Sequence, residues 1–142
     1  MSDQIVERVQ RVIKEDQGIL QAFGMTVVKA WEGECVITAV VPASLVNASG
    51  FAHGSIVYAM MDTACAYSLG SVETRGVTTQ GDVKYVRGGQ AGSQFEARVT
   101  LASRSRRVAT LRGEVHLLDS GEPELAAHGS FVFQLRPEAS TT

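Results

Sequence analysis

Asn47-Ala48-Ser49-Gly50-Phe51-Ala52-His53-Gly54 runs directly into Ser55-Ile56-Val57-Tyr58-Ala59-Met60-Met61-Asp62-Thr63-Ala64-Cys65-Ala66-Tyr67-Ser68-Leu69-Gly70. The second part reads as one helix from Ser55 to Gly70, apolar on nearly every side, and a helix apolar all round is a buried one. Asp62 stands in its middle with no Lys or Arg one turn away in either direction. Burying an unpaired carboxylate is costly unless it is protonated or hydrogen-bonded. Asp62 is therefore a functional candidate on physical grounds alone.

Strand-like segments flank this helix. Met25 to Ala30 and Cys35 to Val41 precede it, with a turn at Glu32-Gly33-Glu34 and a stop at Pro42. Val77–Val86, Phe95–Leu101, Val108–Leu118 and Leu125–Leu135 follow, separated by turn signals such as Asp119-Ser120-Gly121-Glu122-Pro123. Residues 3 to 22 carry Ile5, Val6, Val9, Val12 and Ile13 at three-to-four spacing, which predicts one amphipathic helix capped by Ser2 or Asp3. Helix, two strands, buried helix, four strands is the pattern of an α+β fold: an antiparallel sheet with the long helix on one face. The outer sheet face then needs covering, and a second subunit is the economical cover.

The bulk properties narrow the function. A chain of 142 residues, 44% hydrophobic and 20% charged, is expected to form one domain over 1–142, with a core of about 5–135 and a frayed polar tail. A net charge of −2 gives no reason to expect nucleic acid as a partner. No apolar run approaches the roughly 20 residues of a membrane span, and the charged N-terminus lacks a signal-peptide core. With Cys35 and Cys65 as its two cysteines, the chain reads as reduced and cytoplasmic. The three histidines and two cysteines show no metal-ligand spacing, so no metal is expected. No G-x-S-x-G elbow or phosphate-binding glycine loop occurs, since Gly88-Gly89-Gln90-Ala91-Gly92 has the wrong spacing.

Gly54 opens the helix, where backbone N–H groups lack intrahelical acceptors and the dipole is positive. A side chain reduced to hydrogen lets a ligand approach that backbone closely, making a plausible oxyanion site. Asp62 lies eight residues further, about 12 Å along the axis. Catalytic groups must come within about 3 Å of the reacting atoms. If Gly54 and Asp62 act on one carbonyl, they must come from different subunits related by a dyad.

Asn47, His53, Gly54 and Asp62, followed by Gly76-Val77-Thr78 and Val83-Lys84-Tyr85-Val86-Arg87, resemble the N-x(5)-HGG-x(7)-D pattern of the hotdog-fold acyl-CoA thioesterases. The likeness is greatest to the phenylacetic-acid-pathway (PaaI-type) branch and covers roughly residues 5 to 135. The resemblance implies a sheet wrapped around the central helix, and hydrolysis of an acyl-CoA, with a small aromatic acyl group, to CoA and a carboxylic acid. It makes Asp62 the nucleophile or general base and the Gly54 N–H of a neighbouring subunit the oxyanion donor. Asn47 would hold the thioester or water, His53 would orient the Asn47 loop, and Thr78 would position the attacking water. Arg87, Arg104, Arg106 and Arg107 would meet the CoA phosphates; no cofactor is implied, CoA being part of the substrate.

A homodimer with shared sites, and a homotetramer by sheet packing, also follow from the resemblance. One residue departs from it: Ser55 replaces the second glycine, which implies an altered acyl-binding wall with the helix start preserved. The carrier could be CoA or an acyl carrier protein. A hotdog hydratase would want a histidine at 67, where Tyr67 stands. The reading from a different class is a non-catalytic acyl-CoA sensor.

Overall fold

The computed structural model describes residues 4–137. Two short helices, α1 (Glu7–Glu15) and α2 (Gln17–Ala22), precede strands β1 (Met25–Trp31) and β2 (Glu34–Val40). A 3-10 turn at Ala43–Leu45 and a loop lead to α3 (Gly54–Gly70). Four strands complete the chain: β3 (Arg75–Tyr85), β4 (Gln94–Arg104), β5 (Val108–Leu117) and β6 (Glu124–Arg136). All six strands form one antiparallel sheet in the order β1-β2-β4-β5-β6-β3.

Alternation along the strands explains which face meets the helix. On β4, Phe95, Ala97 and Val99 are buried, while their neighbours Glu96, Arg98 and Thr100 are not. With Cys35, Ile37 and Ala39 from β2 and Leu111, Val115, Phe131 and Phe133 from β5 and β6, they form one core against Ile56, Met60, Met61, Ala64, Cys65 and Leu69 of α3. Each large side chain fully buried there contributes roughly 1.5–3 kcal/mol.

The N-terminal segment differs from the single helix expected over 3–22. The helical run breaks at Asp16, whose φ of −97° and ψ of 14° end α1 and begin α2. Asp16 instead receives the Tyr67 hydroxyl at 2.7 Å, so a tertiary bond sets the kink. Val6 occupies the N-cap of α1 without a side-chain cap; the expected caps, Ser2 and Asp3, lie outside the described residues. Ile5 bridges Ala30, covering part of the outer edge of β1.

Two surfaces depart from expectation. The outer sheet face carries the ion pairs Asp82–Lys84 and Glu96–Arg98, with Glu114 3.5 Å from His116, so it can meet water as antiparallel sheets commonly do. Conversely, α3 does have an open side: Ser55, Tyr58 and Ala66 are exposed, and Ala59, Asp62 and Thr63 are half-buried. Offsets from Ser55 of three, four, seven, eight and eleven place these on one stripe. Beside them runs β3, an eleven-residue edge strand with no neighbour among the described residues on its far side.

Candidate active site

The α3 stripe forms the floor of an open, largely apolar depression of about 660 Å³. Gly54, Ser55, Tyr58, Ala59, Asp62 and Thr63 line it from α3, Ile19 and Phe23 from the α2 region, and Tyr85 from β3. Three contacts fix how α3 crosses β3. Asp62 meets Thr78, the Tyr58 ring lies over Gly81, and Gly54 meets Tyr85. An added Cβ at Gly81 would fall 2.2 Å from the Tyr58 hydroxyl, so glycine is what lets that ring cross the strand. The Tyr58 ring then rests edge-on against Phe131, with centroids 5.1 Å apart and planes at 63°.

Asp62 has the hydrogen-bond partner that its helical neighbours could not supply. Thr78 Oγ1 donates to Asp62 Oδ1 at 2.6 Å, fixing one carboxylate oxygen. The other has no partner among the described residues. A register shift between Thr78 and Gln80 marks a bulge next to this contact, a device that often re-aims a side chain at a site. Asp62 is only half-buried in the protomer, not enclosed as an all-round apolar helix would suggest. Burial, with Asp62 adding to it, pushes the nearby Cys65 thiol well above its ordinary range, and burial does the same to Cys35. Neither thiol is a nucleophile in this state.

The helix start is held by His53. Its Nδ1 accepts from the Ser55 N–H at 3.0 Å and lies 2.8 Å from Ser55 Oγ. The imidazole thus caps α3, and Ser55, expected to begin the helix, is its second residue. The His53 ring turns to Ser55, while its backbone N–H donates to the Leu45 carbonyl at 2.8 Å, at the base of the Asn47 loop. The Asn47 loop fastens itself: Asn47 Oδ1 accepts from the N–H groups of Ser49 at 2.9 Å and Phe51 at 3.1 Å. Asn47 is exposed and does not line the depression within this chain.

With the Ser55 N–H on His53 Nδ1 and the Ile56 N–H on the His53 carbonyl at 3.0 Å, the Gly54 N–H alone of the first three has no acceptor among the described residues. Glycine here is not demanded by the fold. A Cβ at 54 would come no nearer than 3.4 Å to Tyr85, an ordinary contact.

The arginines separate into two places. Arg104, Arg106 and Arg107 line a depression of about 640 Å³ with Arg136, Glu73 and Thr74, and the Arg104 guanidinium donates to the Thr74 hydroxyl. Arg87 lies beyond the opposite end of β3. Twelve residues of extended chain from Arg75 to Arg87 span about 40 Å, so one ligand does not touch both groups within one protomer. Tyr85, Ile19 and Phe23 carry no site role in the sequence reading. Their only signal is apolar or aromatic character, which packing explains equally well.

The family model of the Thioesterase superfamily matches residues 49–124. Acyl-coenzyme A thioesterase PaaI of Escherichia coli (strain K12) is 29% identical over 83 residues, 58% of this chain and 59% of that protein. The match thus spans less than two thirds of that relative. The structure of the E. coli PaaI protein from the phenylacetic acid degradation operon superposes with a TM-score of 0.82 at 20% identity, covering 90% of this chain and 91% of that one.

A mutant of the phenylacetic acid degradation protein PaaI from Thermus thermophilus is 32% identical, with a TM-score of 0.74 over 82% of this chain and 98% of that one. A hypothetical thioesterase from Streptococcus pneumoniae TIGR4, solved with coenzyme A, has a TM-score of 0.80 at 18% identity over 90% and 99% of the two chains. That protein was also solved with an aspartate, and separately a threonine 16 positions further on, replaced by alanine. No helix among the described residues is long and apolar enough to cross a membrane. By the family match and the T. thermophilus relative, this chain belongs to the Thioesterase superfamily, in its hotdog-fold, PaaI-type branch.

Proposed function

We propose that the protein hydrolyses acyl-CoA thioesters to free CoA and a carboxylic acid. The observation that carries this reading is the Asp62 carboxylate, one oxygen fixed by Thr78 and the other free, at an open apolar depression. Asp62 and Thr78 stand 16 residues apart, as do the aspartate and threonine replaced in the S. pneumoniae protein. The free oxygen of Asp62 takes a proton from water as the water attacks the thioester carbon. Negative charge moves to the carbonyl oxygen and is met by a Gly54 N–H. Collapse of the tetrahedral intermediate breaks the C–S bond; the thiolate leaves and takes up the proton. Direct attack by Asp62, giving an anhydride that water then opens, uses the same two groups.

Gly54 and Asp62 occupy one unbroken helix, about 12 Å apart along its axis, so each site needs two chains. A dyad at the level of Tyr58 and Gly81, midway between Gly54 and Asp62 on α3, brings each Gly54 toward the other chain's Asp62. It also sets the two β3 edges side by side, joining two sheets and covering both open stripes. The resulting dimer has two shared sites, and each is expected to receive Asn47 from the second chain. Ile19, Phe23, Tyr58 and Tyr85 give the depression the flat apolar walls that suit a small aromatic acyl group. The Arg104, Arg106, Arg107 and Arg136 cluster suits phosphates, those of CoA or of an acyl carrier's prosthetic arm.

Thiol release from a panel of aryl- and alkyl-acyl-CoA esters, measured for the native chain and Asp62→Asn, tests the reading. Turnover of phenylacetyl- or hydroxybenzoyl-CoA that falls by orders of magnitude in the mutant supports reaction, acid and substrate class together. Binding of CoA esters with no hydrolysis of any supports a sensor instead.

A further inference from the structure

Tyr85, the last residue of β3, has no part in the chemistry above, yet it holds the peptide next to the oxyanion donor. Its hydroxyl donates to the Gly54 carbonyl at 2.9 Å. The hydroxyl oxygen and two adjoining ring carbons would sit 3.4–3.5 Å from a Cβ built at Gly54. The N–H of the same peptide, that of Ser55, donates to His53 Nδ1 at 3.0 Å. The peptide joining Gly54 to Ser55 is therefore gripped from both ends, by a phenol on its oxygen and an imidazole on its hydrogen. Such a peptide is planar and rigid, and bonds in series through it polarise one another. Burial, and secondarily the neighbouring Tyr58, raise the Tyr85 pKa, which keeps its hydroxyl protonated and donating.

We infer that Tyr85 is a positioning residue of the hydrolytic site: by clamping the peptide that follows Gly54 it fixes the Cα from which the Gly54 N–H projects, while the Ile56 N–H on the His53 carbonyl orients the preceding peptide that carries that N–H. The inference rests on the thioesterase reading. Phenylalanine would fill the same space, so packing alone does not call for the hydroxyl. Only the hydroxyl reaches the carbonyl.

Tyr85→Phe in the full chain tests this, with thiol release from phenylacetyl-CoA, thermal melting and amide NMR recorded for both proteins. Losing a direct oxyanion donor slows turnover about 10²–10³-fold, and an indirect clamp should count for less. The expected result is a kcat lower by about tenfold, with KM within about twofold. The melting temperature is unchanged, and the Ser55 amide proton moves upfield as its carbonyl loses a donor. An unchanged kcat overturns the role, as does a kcat loss that only tracks a loss of folded protein. If the native chain releases no thiol from any ester of the aryl- and alkyl-acyl-CoA panel, the hydrolase reading fails and this role falls with it. A native enzyme with an unaffected Tyr85→Phe variant sinks the role alone.

Discussion

The two halves of α3 are finished in opposite ways. Around its C-terminal half the chain closes on itself: Tyr67 donates to Asp16 at 2.7 Å, Ser68 Oγ to the Gly33 carbonyl at 2.5 Å, and the Gly33 N–H to Ser71 Oγ at 2.8 Å. Ser68 is fully buried, and its bond ties the β1–β2 turn to the helix. The N-terminal half carries Ser55, Tyr58 and Asp62 on a side that the described residues leave open. The sheet edges repeat the contrast, since residues near Ile5 bond to β1 while β3 has no outer neighbour among the described residues. Groups that secure the fold are satisfied within one chain. Groups that face the depression wait for a ligand or a second chain.

Mutations that affect one half and spare the other sharpen this division. Asp62→Asn should give the largest effect: kcat lower by about 10²–10⁴-fold, the range for loss of a general base, with a melting curve close to that of the native protein. Gly54→Ala comes next. Its Cβ has ordinary clearance within the chain, so stability should hold while thiol release falls roughly 10–100-fold through obstruction of the oxyanion position. An undiminished rate in that variant would place the oxyanion elsewhere.

In the other half the signs reverse. Ser68→Ala removes one of the two donors on the buried Gly33 carbonyl, leaving the Leu101 N–H in place, and should cost about 0.5–1.5 kcal/mol in urea titration, with activity per folded molecule retained. The smallest effect belongs to Glu34, which hydrogen bonding and charge from Lys29 hold below its usual carboxylate range. A lowered carboxylate adds stability above its unfolded pKa and loses it as pH falls through the folded value. Glu34 is half-exposed, so the contribution is at most about 0.5 kcal/mol after solvent screening. Lys29→Met should remove it at pH 7 and change nothing at pH 2. A larger effect would mean that the pair is less solvated than its exposure implies.

Much of this was legible in one sequence. The β-rich segments and the turn signals between them place all six strands, and α3 begins at Gly54, one residue before the expected Ser55. The break at Asp16 was not legible, because it depends on Tyr67, 51 residues away. The resemblance gave Thr78 a role in positioning water, but its bond to Asp62 was not legible, since the sequence does not reveal how α3 crosses β3. The same crossing angle hid Tyr85. Reading α3 as buried all round failed for a different reason: apolarity records that a surface will be covered, without saying whether by its own chain. The four arginines illustrate the limit of grouping residues by type, since the length of β3 divides them.

The unbroken helix between Gly54 and Asp62 also bears on inheritance. If each site draws its acid from one copy and its N–H from the other, Asp62→Asn and Gly54→Ala are lesions in different halves of the same machine. A mixed dimer of the two mutants carries one site with both defects and one with neither. Two inactive alleles expressed together would then restore up to about a quarter of the sites by random pairing of copies. The same two lesions placed in a single allele, beside a second copy of itself, would restore none.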